Sequence, residues 1–413
     1  MEMLKSLLAS ALTALTLVTP AFAQTTITFG YWGDPPELPP FEEIVSKYQA
    51  AHPDVKIEIQ HAPWSGYFTR LDAQLAAGGG PDVFFITNVP SYAARGALMP
   101  LDDLIKADAF PIDQYVPKSL QTHTYEGKLY SIPRDSAPSA LYYNIDAFTE
   151  AGVSPPDANW KWDDLRKAAV ALTKTDGGRV TRYGLALESN DWATWVQQNG
   201  GQVFDDPLNP TKFLLAEPAG VEAIQYIGDL INKDKVVPNF LEAEQAGGTA
   251  QLFGSGQAAM TITNPSRLGT FAQAPFKWAV ANLPAGPTGI HSNRTGGAGF
   301  AINANTKNKD AAWAFLQYLA GPEGQSIFAS ATAAAVPAMT GNPEVRAAFK
   351  APFADVFLKE ADTGEQFPQF PRFVDLSNLY IQPALDLVWN GESTAADALG
   401  AIKDKVNAEL AKK

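Results

Sequence analysis

Four short clusters in the sequence place aromatic residues in or beside small polar segments. These clusters are Trp32-Gly33-Asp34, Trp64 with Tyr67, Asn190-Asp191-Trp192, and Trp195. An indole face can stack on the apolar C–H face of a pyranose ring, while Asp, Asn and Arg side chains bind the hydroxyl groups at its edge. A single tryptophan is as often a core residue as a contact residue. Four aromatic clusters together favour a surface that binds carbohydrate.

The motifs of common enzyme classes are absent from the sequence. It has no H-E-x-x-H, no G-x-S-x-G and no G-K-[ST] segment. The four histidines (His52, His61, His123 and His291) are scattered singly, which predicts surface or hydrogen-bonded residues rather than metal ligands. Gly78-Gly79-Gly80 follows a predicted helix and precedes a strand, the order of a helix stop rather than of an anion site. We therefore expect no catalytic centre, metal or cofactor.

An alternation of strand and helix patterns positions the clusters. The predicted strands cover 26–31, 55–59, 83–86, 141–143, 183–187, 258–262 and 277–281, and the clearest helices cover 67–77, 162–172 and 221–231, with a further apolar stripe at Phe41, Ile44, Val45 and Tyr48. This rhythm predicts parallel sheets covered on both faces. Open α/β sheets bind ligands beyond the carboxyl ends of their strands, and the clusters follow predicted strands.

The N-terminus has the pattern of a cleavable export signal. Residues 7–18 are mostly apolar, Pro20 follows, and Ala21-Phe22-Ala23 provides the small residues that a signal peptidase needs. The apolar segment is shorter than the roughly 20 residues of a membrane span. No cysteine follows it, so no lipid attachment is expected. The sequence thus predicts a mature protein that begins at Gln24 and diffuses freely in the periplasm.

Composition narrows the partners and the number of domains. The 413 residues carry a net charge of −13, and such an acidic protein is a poor match for nucleic acid or anionic lipid. The absence of cysteine excludes disulfides, so stability must come from apolar cores. About 390 mature residues exceed the size at which a single core stops growing, which predicts two domains.

Ordered sequence fragments give the chain a resemblance to a known family. The fragments are Trp32-Gly33-Asp34, Gly80-Pro81-Asp82-Val83, Gly96-Ala97-Leu98 before Pro100-Leu101, Gly127-Lys128-Leu129-Tyr130 before Ile132-Pro133, Leu141-Tyr142-Tyr143-Asn144, Gly256-Gln257-Ala258-Ala259-Met260, 296–302, and 311–319 before Pro322-Glu323-Gly324. In this order and at this spacing they resemble the extracellular solute-binding proteins of carbohydrate ABC importers, the group that includes maltose-binding protein. The similarity covers essentially the whole mature chain.

The resemblance implies an α/β, two-lobed periplasmic-binding-protein fold of type II. Each lobe would be a mostly parallel sheet flanked by helices, and a hinge of several strands would join them. After a signal peptide at 1–23, we expect an N-lobe formed by 24–135 with 297–340 and a C-lobe formed by 136–296 with 341–413. The chain should cross between lobes near 134–136, 291–297 and 337–342. The resemblance also implies a monomer that closes on its ligand and docks on the permease subunits in the inner membrane.

The resemblance also carries ligand-binding roles onto particular residues. The expected cleft residues are Trp32, Asp34, Trp64, Asn88 (or Thr87), Arg134, Asp135, Asp191, Trp192, Trp195, Asn264, Ser266, Gly297 and Arg372. Ser266 stands where relatives often carry a tryptophan, which favours a smaller or more polar ligand over a long linear oligosaccharide. Asp82 opens a buried strand and is predicted to be structural.

Three alternatives remain open at this point. A glycosidase would need two suitably spaced carboxylates, for which Asp34, Asp135 and Asp191 are the candidates. An iron site would need paired tyrosines, but Tyr142 and Tyr143 are adjacent in a strand and should point to opposite faces. Polyamine binding is disfavoured by the candidate cleft arginines, Arg134 and Arg372, which instead leave an anionic or sulfonated sugar possible.

Overall fold

The structure, a computed structural model, describes residues 24–33, 37–331 and 335–412. The predicted export signal at 1–23 and the predicted cleft residue Asp34 lie outside these residues. Within them, no helix is long and apolar enough to cross a membrane.

Strands and helices alternate along the chain in the way the sequence predicts. The strands are β1 (Thr25–Trp32), β2 (Val55–Ala62), β3 (Val83–Ile86), β4 (Thr124–Tyr125), β5 (Lys128–Leu129), β6 (Ser131–Pro133), β7 (Asp135–Ser136), β8 (Ala140–Asn144), β9 (Lys174–Asp176), β10 (Arg179–Arg182), β11 (Met260–Thr263), β12 (Trp278–Ala281), β13 (Asn293–Thr295), β14 (Gly299–Ile302), β15 (Val336–Pro337) and β16 (Gly364–Gln366). The α-helices are α1 (Pro39–Ala51), α2 (Trp64–Ala76), α3 (Val89–Ala93), α4 (Asp102–Ala107), α5 (Pro117–Thr122), α6 (Ile145–Ala151), α7 (Trp162–Leu172), α8 (Trp192–Gln198), α9 (Pro218–Asn232), α10 (Phe240–Gln245), α11 (Thr249–Gly254), α12 (Leu268–Phe271), α13 (Lys309–Ala320), α14 (Pro322–Ala331), α15 (Pro343–Ala348), α16 (Ala354–Asp362), α17 (Phe373–Leu376), α18 (Gln382–Trp389) and α19 (Ala395–Leu410).

The N-lobe is built on a five-stranded sheet in the order β2-β1-β3-β14-β6. β1 runs parallel to β2 and β3, whereas β14 is antiparallel to both β3 and β6. The sheet's apolar residues and the buried stripe of α1 (Phe41, Ile44, Val45 and Tyr48) belong to one core. Four of the five strands therefore end at the same edge of the sheet.

The C-lobe is built on a smaller sheet in the order β11-β8-β12. β8 is antiparallel to both neighbours, and the predicted strand at 183–187 adds only two isolated parallel bridges to the β11 side. Tyr142 packs with the apolar core that includes the N-lobe sheet. Tyr143 packs with a separate core that includes the buried residues of α7 and α9. The prediction that the two tyrosines point to opposite faces is confirmed, so they do not form a paired metal site.

Each sheet contains one reversed strand, and in both lobes it is the strand that arrives from the hinge. β8 follows β7 directly, and β14 follows β13 directly. A strand that enters a lobe from the hinge must run away from the edge that faces the other lobe. The remaining strands run toward that edge, which brings their carboxyl ends to the space between the lobes.

The hinge consists of two short strand pairs. β7 pairs with β15, and β13 pairs with β16. The third connection between the lobes extends beyond the predicted range 337–342. Its helix α15 packs on α14 of the N-lobe, and the next helix, α16, packs on β8 and β13. The exact lobe boundaries given above stay a prediction.

Asp82 links neighbouring segments at the edge of the N-lobe sheet away from the cleft. Its Oδ2 accepts hydrogen bonds from the backbone N–H and the hydroxyl of Thr28, both at 2.8 Å, and its Oδ1 accepts one from the Thr306 hydroxyl. The structural role predicted for Asp82 is confirmed.

Candidate ligand-binding site

The carboxyl ends of four N-lobe strands gather the predicted contact residues at one edge. Trp32 ends β1, Trp64 follows β2, Asn88 follows β3 and Arg134 follows β6. Gly297 lies just before β14, which starts at the same edge because it runs the opposite way. The sheet topology thus brings together N-lobe residues that are far apart in sequence.

Trp32 and Trp64 form an aromatic wall at this edge. Their ring centroids lie 5.1 Å apart in an edge-to-face arrangement, and Tyr67 and Phe68 pack against Trp32 at 5.1 and 5.3 Å. Trp64 is 55% exposed, whereas Tyr67 is buried and donates its hydroxyl hydrogen to the Phe85 carbonyl at 2.9 Å. An exposed indole supported from behind by other rings is a rigid platform for an apolar surface.

The backbone before α2 explains the position of Trp64. The residue before it, Pro63, is extended with φ −60° and ψ 155°, and the helix begins at Trp64 itself. The sequence predicted a helix only from residue 67. Starting the helix three residues earlier places Trp64 at its N-terminal end, directly beside the end of β1.

Asn88 adopts a left-handed conformation after β3. Its φ is 49°, a region that asparagine tolerates better than most side chains. The carbonyl of Asn88 accepts a hydrogen bond from the Ser91 N–H at 3.1 Å, so this residue turns the chain from the buried strand into α3. Its half-buried side chain stands at the cleft edge.

Arg134 and Asp135 form an ion pair at the first crossing. Asp135 is only 2% exposed, and its Oδ1 also accepts a hydrogen bond from the Ala298 N–H at 3.0 Å. The Arg134 guanidinium lies 4.5 Å from the Phe85 ring centroid and 5.5 Å from that of Trp32. The pair therefore connects the first two crossings and supports the aromatic wall, and its charge is internally neutralised.

Gly297 is required by the close approach of these two crossings. A Cβ at this position would lie 2.2 Å from the Asp135 carbonyl oxygen and 2.3 Å from its Oδ1. No larger side chain fits without moving the hinge backbone, so Gly297 acts through packing.

The C-lobe edge that faces this wall contains Ser139, Asp191 and the turn after β11. Asn264 caps the 3₁₀ turn Pro265–Arg267, accepting a hydrogen bond from the Ser266 N–H at 3.0 Å, and Ser266 is exposed. Ser139 donates its hydroxyl hydrogen to Asp191 Oδ2 at 3.1 Å. These polar groups lie where the strands of the C-lobe sheet meet the cleft.

Trp192 and Trp195 lie in α8 rather than in a loop, and both are 5% exposed. Trp195 packs against Trp162 and Tyr226 at centroid distances of 5.2 and 5.7 Å. Trp192 packs edge-on to Phe367 at 6.3 Å. In this conformation both indoles belong to the C-lobe core, and a cavity beside Trp195 and Asp191 has room for only about one water molecule.

The Arg372 side chain is bound by the C-terminal helix, and its predicted role in the cleft stays a prediction. Its guanidinium donates to the Glu409 carbonyl at 2.8 Å and forms an ion pair with the Glu409 carboxylate at 2.9 Å. It therefore binds the C-terminal end of α19, where carbonyl groups are left without helical partners.

Sequence reasoning did not single out a buried polar group at the hinge. Asn293 is fully buried; its Oδ1 accepts from the Ser139 N–H at 3.0 Å, and its Nδ2 donates to the Ser139 carbonyl and to Glu360 Oε2, both at 2.7 Å. Burial raises the pKa of Glu360 above its ordinary value, and hydrogen bonds from Asn293, the Leu283 N–H and Asn282 oppose that rise. By binding both Ser139 and Glu360, Asn293 connects all three segments that cross between the lobes. An asparagine two residues before Thr295-Gly296-Gly297, inside a predicted crossing, was the available signal.

The arginines around the cleft differ in their pairing. Arg134 pairs with Asp135, and Arg294 pairs with Asp191 at 3.2 Å. Arg267 is exposed, and it forms no ion pair with any residue in the described part of the chain. No group of three or more His, Cys, Asp or Glu side chains that could hold a metal ion occurs among the described residues.

Two α/β lobes, a strand hinge and an aromatic cleft between them define a hinged solute-binding protein. A statistical description of the bacterial extracellular solute-binding protein family matches residues 32–326, and the chain belongs to this family. The predicted α/β, two-lobed fold of type II is confirmed by its similarity to solved structures of such proteins.

Relatives with known structure or binding names support the same assignment. The chain is 28% identical over 296 residues to the arabinooligosaccharide-binding protein of Bacillus subtilis, covering 68% of this chain and 66% of that protein. It is 26% identical over 299 residues to the sn-glycerol-3-phosphate-binding periplasmic protein UgpB of Brucella suis, covering 67% and 66%. The ABC substrate-binding protein Lmo0181 of Listeria monocytogenes, solved in complex with cycloalternan, superposes with a TM-score of 0.81 at 26% identity, covering 94% of this chain and all of that one.

Proposed function

We propose that the protein captures a carbohydrate in the cleft between its lobes and delivers it to the permease subunits of an ABC importer. It acts as a monomeric binder without catalysis, outside the cytoplasmic membrane. Ligand contacts to both lobes shift the hinge equilibrium toward a closed form that the permease recognises.

The observation that carries this proposal is the exposed Trp64 indole at the strand ends of the N-lobe. It is 55% exposed and is supported from behind by Trp32. Large apolar side chains that remain exposed in a concave polar region are typical of ligand contacts. A sugar ring provides both an apolar C–H face for the indole and hydroxyl groups for the neighbouring polar residues.

The relatives support a sugar, and the electrostatics favour a neutral one. The Bacillus subtilis relative is named for arabinooligosaccharides, and the Listeria monocytogenes structure contains cycloalternan. The Brucella suis relative is named for a phosphorylated ligand. Arg134 and Arg294 are both neutralised by aspartates here, which leaves neither of them free to pair with a phosphate.

The test is a thermal-shift screen of neutral mono- and oligosaccharides followed by calorimetry on Trp64→Ala. A glycan present at 100 times its dissociation constant should add about 2.7 kcal/mol of stability. Trp64→Ala should weaken the best glycan about tenfold, which corresponds to about 1.4 kcal/mol. Leu241→Ala is a matched control, because Leu241 is 61% exposed and its helix contacts Tyr183, at the end of the C-lobe sheet away from the cleft.

Two results would contradict the proposal at different levels. Equal affinities of Trp64→Ala and the parent protein would remove Trp64 from the contact surface. Failure of every glycan to stabilise the protein, with a shift by a different class of solute, would remove the carbohydrate assignment.

An acidic sugar is the second candidate ligand, and Arg267 is the observation that favours it. This exposed arginine follows Ser266 in the cleft turn and has no ion-pair partner among the described residues. Arg267→Ala should then weaken galacturonate oligomers far more than the corresponding galactose oligomers, and added salt should weaken the same ligands. A similar loss for both oligomers would leave only the neutral-sugar proposal.

A further inference from the structure

A second pocket lies beside the β13–β16 strand pair, and none of the predicted cleft residues lines it. It measures about 350 Å³ and is lined by the segment after α8 (200–207), the segment before β13 (290–292) and residues 365–368. Its volume is at the lower end of the range of about 300–1,000 Å³ that small-molecule sites occupy.

Hydrogen bonds hold the pocket walls in place. Gln197, at the end of α8, donates to the Gln366 carbonyl at 3.0 Å and accepts from the Ser292 hydroxyl at 3.2 Å. The Gln369 N–H donates to the Pro207 carbonyl at 2.8 Å. Hydrogen bonds therefore connect all three segments to one another.

The pocket lining combines apolar and polar residues. Val203, Phe204, Ile290 and Pro368 form the apolar part of the lining. The polar part includes Gln366, whose amide nitrogen is shielded from solvent and has no hydrogen-bond partner. A ligand oxygen that reached this amide would supply a hydrogen bond whose absence costs about 1–3 kcal/mol.

The ionisable groups around the pocket disfavour strongly charged ligands. Among the described residues no lysine or arginine lines it; the ionisable side chains of the lining are His291 and Glu365, and Glu365 forms an ion pair with Lys118 of α5. An anion would find no lysine or arginine in the lining, and a cation would have to compete with Lys118.

We propose that this pocket is a second binding site, independent of the cleft, for one neutral polyhydroxylated molecule of hexose size. The apolar lining covers the C–H face of the ring, and the amides of Gln366 and Gln202 bind its hydroxyl groups. Because the pocket is open and small, its affinity falls in the millimolar range, well below that of a closing cleft.

The δ1-methyl group of Ile290 is a direct reporter, since Ile290 lines the pocket. The experiment titrates D-glucose, and separately sn-glycerol 3-phosphate, into the mature protein carrying ¹³C-labelled isoleucine methyl groups, with Ile290→Val assigning the signal. We expect a saturable shift of the Ile290 methyl signal with D-glucose and no shift with the phosphate. The same shift should persist in Trp64→Ala, which separates this site from the cleft.

Gln366→Leu should weaken the D-glucose response at least fivefold, whereas Gln273→Leu, an exposed glutamine on the segment after α12, should leave it unchanged. Three outcomes overturn the proposal: no saturable shift, a shift that disappears in Trp64→Ala, or a response to the phosphate alone. If the cleft binds no sugar but Ile290 still responds, this site stands while the proposed function fails.

Discussion

His123 makes folding stability depend on pH in a way that can be calculated. The side chain is 2% exposed, its Nδ1 contacts the Ser131 hydroxyl, and its Nε2 has no hydrogen-bond partner. Burial lowers the pKa of His123 from 6.5 to about 3. The hydrogen-bonded role predicted for this histidine is confirmed, and the imidazole is held in its neutral form.

The direction and the size of this pH dependence of stability follow from proton linkage. Between pH 6.5 and 3 the unfolded chain binds a proton at this histidine that the folded chain does not, so the free energy of unfolding falls as the pH falls. For these two pKa values the loss between pH 7.5 and 5.0 is about 2 kcal/mol. Almost none of that loss occurs above pH 7.

Urea denaturation at pH 7.5 and 5.0, followed by tryptophan fluorescence, measures this contribution. His123→Asn keeps a nitrogen near the Ser131 hydroxyl but cannot titrate, so it should lose about 2 kcal/mol less than the parent protein between the two pH values. Asn159→Ala, at an exposed residue that does not titrate, should show the same pH-dependent loss as the parent. Equal pH-dependent losses in the parent and His123→Asn would refute the reasoning.

Three further substitutions test the hinge and the pairing of Arg372 with the C-terminal helix. Asn293→Ala leaves several buried polar groups without partners and should lower the free energy of unfolding by about 3 kcal/mol or more. The control Asn159→Ala, at an exposed residue, should change it by less than about 0.5 kcal/mol. Urea denaturation curves compare the two variants, and equal stabilities would contradict the importance of the buried hydrogen bonds. Gly297→Ala forces a Cβ against the Asp135 carbonyl and should cost about 1–3 kcal/mol in the same assay, so a fully stable variant would show that the hinge can shift freely. Arg372→Ala should leave glycan affinity unchanged in calorimetry, and a clear loss would return this residue to the cleft.

The elements that gather the N-lobe site follow from local sequence patterns. The alternation at 55–59, the apolar run at 83–86 and the stripe from Phe41 to Tyr48 each depend on residues within a few positions, and the structure has β2, β3 and α1 there. The carboxyl-end rule then places Trp32, Trp64 and Asn88 together. Periodicity is a local signal, and these features are local.

The burial of individual tryptophans could not be predicted in the same way. Trp64 and Trp195 both follow strand patterns, yet Trp64 is 55% exposed and Trp195 is 5% exposed. The difference arises because Trp162 and Tyr226, distant in sequence, cover Trp195. Arg372 is a similar case, since its partner at residue 409 is chosen by how α19 packs and not by any spacing in the sequence.

The position of β14 in the N-lobe sheet constrains the order in which the chain can fold. β14 lies between β3 and β6, but it follows every strand of the C-lobe sheet in the sequence. Until residues 299–302 pair with them, β3 and β6 are not joined in one sheet and leave backbone hydrogen-bonding groups exposed. Pairings across such long sequence separations form slowly. The N-lobe therefore completes its sheet only late, and a fragment that ends before β14 should not fold into a stable lobe.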